Sequence, residues 1–167
     1  MESRAKLFGH AVHPMLIVFP LGLLATALIF DVIYLLTRNG ELVIFSYWAI
    51  AAGVIGGLAS ALFGFWDWAY IPNNTRAKTI GLWHGAGNVL IVALFIVAWL
   101  MRRGAVGPEY RPDGIPFILE LIGLVLALVT AWLGGELVER LGIGVDSGAN
   151  PDAPSSLSGR PVREVQR

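Results

Sequence analysis

The sequence predicts an all-α fold: an integral membrane four-helix bundle of up-down topology, with both termini on the same side and a disordered C-terminal tail. Three observations predict it. Of the 167 residues, 56% are hydrophobic and only 14% charged, with a mean hydropathy of +0.67, a balance too apolar for a water-soluble domain. Four apolar stretches each approach or exceed the roughly 20 residues that cross a bilayer as a helix. Polar turns rich in Gly, Pro, Asn and Arg separate them.

The first span is expected over about 14–37. Pro14 suits a first helical turn, where its missing N–H has no partner to lose, and this places His13 at the N-cap. Pro20, one to two turns in, predicts a kink. Arg38-Asn39-Gly40 turns the chain sharply, so the second span, about 42–66, returns antiparallel. Along it Gly53, Gly57, Ala61 and Gly64 clear a narrow strip for a neighbouring helix. Trp66, Trp68 and Tyr70 close it as interfacial aromatics. A polar hairpin follows, and the third span is expected over about 80–100. The connection 104–114, with Pro108 and Pro112, is expected to be non-helical. The fourth span, about 115–141, carries a second small-residue strip at Gly123, Ala127, Ala131 and Gly135. Residues 1–145 thus form the membrane domain, and 146–167, rich in Pro, Ser, Gly, Asp and Arg, form a flexible polar tail. No internal repeat stands out.

Composition also excludes chemistries. Twelve basic and twelve acidic residues cancel, so no basic field recommends nucleic acid as a partner. Without cysteine there is no disulfide, thiolate metal site, Cys-ligated iron–sulfur cluster or covalently attached c-type haem. No phosphate-binding loop or nucleophile elbow is present. Arg4 and Lys6 ahead of a span-length run read as a retained signal anchor. Counting basic residues near the spans gives Arg4, Lys6, Arg76, Lys78 and Arg140 on the terminal side against Arg38, Arg102, Arg103 and Arg111 opposite. That margin of one residue is a bias toward cytoplasmic termini and leaves the positive-inside rule close to silent.

The candidate site lies at the terminal end. His10 and His13 precede the first span, Asp67 ends the second, His84 opens the third with Asn88 one turn on, and Glu136 ends the fourth. Up-down topology brings all of them to one face, while Asp31, Glu41 and Glu120 belong to the other. Two chemistries fit. In one, His13 and His84 are axial ligands of a b-type haem enclosed by the bundle, with Asn88 beside His84 and the carboxylates orienting the imidazoles or pairing with haem propionate-binding groups. In the other, His10, His13 and His84 with Asp67 or Glu136 hold zinc, copper or non-haem iron. A third reading has no cofactor: a structural subunit of a larger membrane complex, whose polar cluster locks the bundle, Asp67 pairing with Arg76 or Lys78 and Glu136 with Arg140 or a histidine, and whose glycine strips receive partner helices; a homo-oligomer stays open.

Taken together, His13-Pro14, Phe19-Pro20-Leu21-Gly22, Gly64, Asp67, Arg76, His84, Asn88, Gly134-Gly135-Glu136-Leu137-Val138 and Gly142-Ile143-Gly144-Val145 resemble a bacterial membrane-protein family, domain of unknown function twenty-two thirty-one, over about 9–145. The resemblance implies a four-helix protein of the bacterial inner membrane. Relatives joined to Rieske-type iron–sulfur domains imply electron transfer with a redox partner or within a larger membrane complex. This chain has no such domain and no cysteine to build one.

Overall fold

The computed structural model describes residues 1–103 and 114–160. A two-residue hairpin, β1 (Lys6–Leu7) against β2 (His10–Ala11), leads into α1 (Val12–Leu16) and α2 (Val18–Thr37). Then come α3 (Glu41–Ala69), α4 (Arg76–Arg102) and α5 (Ile115–Gly135), which runs on into a π-helical turn at Glu136–Arg140. With α1 and α2 as one span, four helices are long and apolar enough to cross a membrane. The expected bundle is present, and Met1 meets Gly142, just past the fourth span, at the end where α1 and α4 begin, here the near end. The connection 104–113 and the last seven residues, 161–167, lie outside the described residues.

Local chemistry sets the breaks. The first helix is interrupted at Ile17, three residues before Pro20, whose missing N–H leaves the Leu16 carbonyl without its intrahelical donor. Arg38 ends α2 in the left-handed conformation, φ 59°. The third span, α4, starts earlier than the apolar run suggests, because the Thr75 side chain accepts the Lys78 N–H and caps a first turn built from polar residues. At its other end it takes in Arg102.

The surface is inverted relative to a soluble protein. Leu36, Leu62, Trp83, Leu128 and Trp132 are largely exposed, as lipid-facing residues must be, while the middle of the bundle is filled by Leu24, Ala27, Ile50, Ile91 and Phe95. Close approach depends on glycine. A Cβ at Gly53 would lie 2.7 Å from Leu24, and one at Gly123 2.7 Å from a Phe95 ring carbon. Gly53, Gly57 and Gly64 of the first strip and Gly123 of the second therefore serve contacts within the chain, while Ala61 and Ala131 are exposed. At its end the second strip runs through Gly134, not Gly135, which faces open space.

The far half holds a buried ion cluster. Arg102 donates through Nη1 to Asp31 Oδ2 and Glu120 Oε1, each at 2.8 Å, and to Ser46 Oγ at 3.2 Å; Nη2 reaches Asp31 Oδ1 at 3.1 Å. These four residues are fully buried and come one from each long helix. This corrects two expectations. Asp31 and Glu120 are interior groups and not far-face charges, and Arg102 is their counter-ion and not a loop residue marking orientation.

Replacing Arg102 by Ala leaves two carboxyl groups without their cation in a dry interior, which is expected to cost about 3–5 kcal/mol. Ser46→Ala removes one hydrogen bond and is expected to cost about 1 kcal/mol. Thermal unfolding of the two variants in one detergent checks the order.

Candidate functional site

The near half of the bundle is built around two imidazoles. His13 sits in the first turn of α1, and His84 lies eight residues into α4, about 12 Å from the helix start. Their ring centroids are 6.2 Å apart and their planes nearly perpendicular, at 85°. Both side chains are half-buried.

Each ring is oriented the same way. His13 Nδ1 lies 2.9 Å from the Ser60 carbonyl oxygen of α3, and His84 Nδ1 lies 2.8 Å from the Thr130 carbonyl oxygen of α5. A carbonyl can only accept, so the proton of each bond sits on Nδ1, and in the neutral ring Nε2 keeps the free lone pair. Each ring also lies against a glycine one turn beyond its carbonyl. A Cβ at Gly64 would sit 2.8 Å from His13 Nδ1, and one at Gly134 3.2 Å from His84 Cε1. Any side chain at these positions pushes on the imidazole.

Hydroxyls and an amide complete the surroundings. Ser60 Oγ is 3.0 Å from His13 Nδ1. Asn88 Nδ2 donates to the His84 carbonyl at 2.8 Å and lies 3.3 Å from His84 Nε2, while its Oδ1 accepts from Thr130 Oγ at 3.3 Å. Asn88 is thus placed beside the one ring nitrogen of His84 that the backbone leaves free.

The other predicted members are engaged elsewhere. Asp67 accepts from Ser3 Oγ at 2.6 Å, Arg4 N at 2.7 Å and Ala5 N at 3.3 Å, so it anchors the N-terminal segment and pairs with neither Arg76 nor Lys78. Glu136 pairs with Arg76 at 2.6 Å, across the hairpin, and not with Arg140. Lys78 donates to the Trp68 carbonyl and stands 4.0 Å over its indole ring. His10 Nε2 lies 3.3 Å from Ser156 Oγ. Among the described residues no group of three or more His, Asp or Glu side chains is arranged to hold a metal ion. The imidazoles are oriented by backbone carbonyls, not by the carboxylates expected in that role.

A polar strap lies over this end. The Met1 ammonium donates to the Gly142 carbonyl and Gly144 N to the Met1 carbonyl, both at 2.8 Å. Lys6 bridges Glu2 and Asp146, and Ser147 donates to Glu2. The polar segment after Val145 forms turns and one 3-10 turn at Ser156–Ser158, and it touches the N-terminal segment at Asp146, Ser147 and Ser156. Ser60, Thr130 and the strap were not foreseen. The one hint was a hydroxyl residue four positions before Gly64 and before Gly134.

Fold and site together define a class: a four-helix integral membrane protein with paired histidines set into one end of its bundle. The chain belongs to the family described as "Predicted membrane protein (DUF2231)", whose model matches residues 9–147. No curated protein and no solved structure matches it.

Two expectations follow. Gly64→Ala forces the His13 ring out of place and is expected to cost about 1–3 kcal/mol. Gly85→Ala, which meets nothing within 4 Å, is expected to stay within about 0.5 kcal/mol of the parent, and thermal unfolding separates them. The Glu2 carboxyl is held down at about 2 from its ordinary 4.5, first by Lys6 and then by the Ser147 N–H. A lowered carboxyl stabilises above its ordinary value and ceases to as pH falls through the lowered one. The contact between residues 1–6 and 146–147 should therefore hold at neutral pH and be lost as pH drops from 4.5 towards 2, read by hydrogen exchange at the Ser147 amide.

Proposed function

We propose that this is a small electron-transfer protein of the bacterial inner membrane, with His13 and His84 as axial ligands of a b-type haem. The observation that carries the reading is the pair of imidazoles, each fixed through Nδ1 by a backbone carbonyl so that Nε2 is left to bind. Metal-ligating histidines characteristically give their other ring nitrogen to such an outer partner. Spacing supports it too: two imidazoles bound on opposite sides of one ion at about 2 Å each have centroids about 6 Å apart. Bound there, the haem supplies reversible one-electron chemistry at its iron.

The chain's own residues do the rest. Gly64 and Gly134 give the rings room, Ser60 and Thr130 set their rotation, and Asn88 holds His84 Nε2 when no ligand does. The apolar middle of the bundle excludes water beneath the site. His13 and His84 alone as ligands to zinc, copper or iron make a weaker reading, since among the described residues no third His or carboxylate joins them.

The test is an absorption spectrum of the detergent-purified protein from its native host, oxidised and then reduced with dithionite, with metal analysis on the same sample. A Soret band that sharpens with an α band on reduction is expected, lost in His84→Ala and His13→Ala but kept in His10→Ala. A flat visible spectrum overturns the haem reading, and the metal content then decides between an ion held by two histidines and a bundle without cofactor.

A further inference from the structure

The two halves of the bundle repeat each other. Asp31 and Arg102 lie 71 residues apart, the same separation as His13 and His84, Leu24 and Phe95, and Ala27 and Ala98. In the second helix of each half the displacement is one residue shorter, so that Ile50, Gly53, Ser60 and Gly64 correspond to Glu120, Gly123, Thr130 and Gly134. Correspondingly, His13 reaches its carbonyl across 47 positions and His84 across 46.

The matched positions do the same work. Leu24 lies over Gly53 as Phe95 lies over Gly123, with the same 2.7 Å approach. Ala27, Ala98, Asp31, Arg102, Ile50 and Glu120 are all fully buried. His13 bonds to Ser60 and rests on Gly64 as His84 bonds to Thr130 and rests on Gly134. Buried position, contact partner and hydrogen bond coincide along two helices, where two unrelated hairpins would share only a general apolar pattern. The expectation of no repeat is corrected. Few identities survive, and the pattern emerges once contacts say which residues to compare.

We infer that the chain is a fused pair of equivalent helical hairpins, α1–α3 and α4–α5, and that His13 and His84 bind one metal centre on the pseudo-two-fold axis between them. Both hairpins start at the near end, so the axis runs along the helices, as in membrane proteins built from parallel repeats. The duplication stands on the structure alone; the metal centre rests on the proposed function. The ligand class is narrowed accordingly. It is a single centre that takes two like nitrogen donors from opposite sides, not an ion needing three or more unlike donors from one side. At the far end the axial positions have diverged to Asp31 and Arg102, opposite charges that identical hairpins could not present.

The test uses the full-length chain. Histidine-selective nitrogen-15 spectra of ligand-free protein in nanodiscs are expected to show the Nδ1–H tautomer at both His13 and His84. A different tautomer at either one overturns the equivalence of the arms. In protein purified with its chromophore, one centre per chain is expected. His13→Gly and His84→Gly should each weaken retention by about tenfold or more, and added imidazole should restore the same spectrum in both. Two centres per chain, or a loss in only one variant, overturns the axial site while leaving a haem protein in place. If no chromophore is found, the proposed function fails, and the tautomers still decide whether the two arms are equivalent.

Discussion

Everything in the bundle is arranged around one buried guanidinium. Arg102 has no water to fall back on, and its forked contact with Asp31, together with Glu120 and Ser46, draws one residue from each long helix to a point. Inside a membrane, helices gain little from burying apolar surface against one another, because lipid is as apolar as leucine. A desolvated ion cluster is different. Its members lose hydration whether or not they meet, and meeting compensates part of that cost, so the cluster fixes which helices are neighbours and at what depth. The glycine contacts at Gly53 and Gly123 then set how closely those neighbours approach.

With the far end tied, the near end is free to be specialised. There the hairpins meet at two imidazoles, each held within its own hairpin by a carbonyl, a hydroxyl or an amide and lying against a glycine as Leu24 and Phe95 lie against theirs. The polar strap over this end is held mostly by contacts between the first and last parts of the described chain: Met1 with Gly142 and Gly144, Lys6 with Asp146, and Glu2 with Ser147. The dry layer of Leu24, Ile50, Ile91 and Phe95 separates the two polar regions.

Much of this was legible beforehand. Helix number, topology and the meeting of His13 with His84 follow from hydrophobic length and from the short turns, which leave the chain little choice. Asn88 beside His84 follows from one helical turn. What the pattern hid was partnership. Asp67, Glu136 and His10 are ligand-type residues at the right end, but each is taken by a strap or hairpin group whose position depends on non-helical backbone. Arg102 reads as an interfacial charge because an apolar run stops just before it; only the continuation of α4 through Arg102 and the paired carboxylates place it inside. Ser60 and Thr130 act through their main-chain carbonyls, which carry no side-chain signature, and their hydroxyls look like ordinary small residues in a packing strip.

The distance between the two polar regions has a mechanical side. Along the first span, broken once at Ile17, His13 and Asp31 are separated by about 27 Å at the usual helical rise. An arm of that length, pivoting where the guanidinium grips it, converts a rotation of about 2° into a displacement of about 1 Å at the imidazole. The gap between the two rings is therefore a sensitive gauge of stiffness at the pivot. A small tilt of one hairpin against the other, held at the ion cluster, would be read at the rings as a change in their separation.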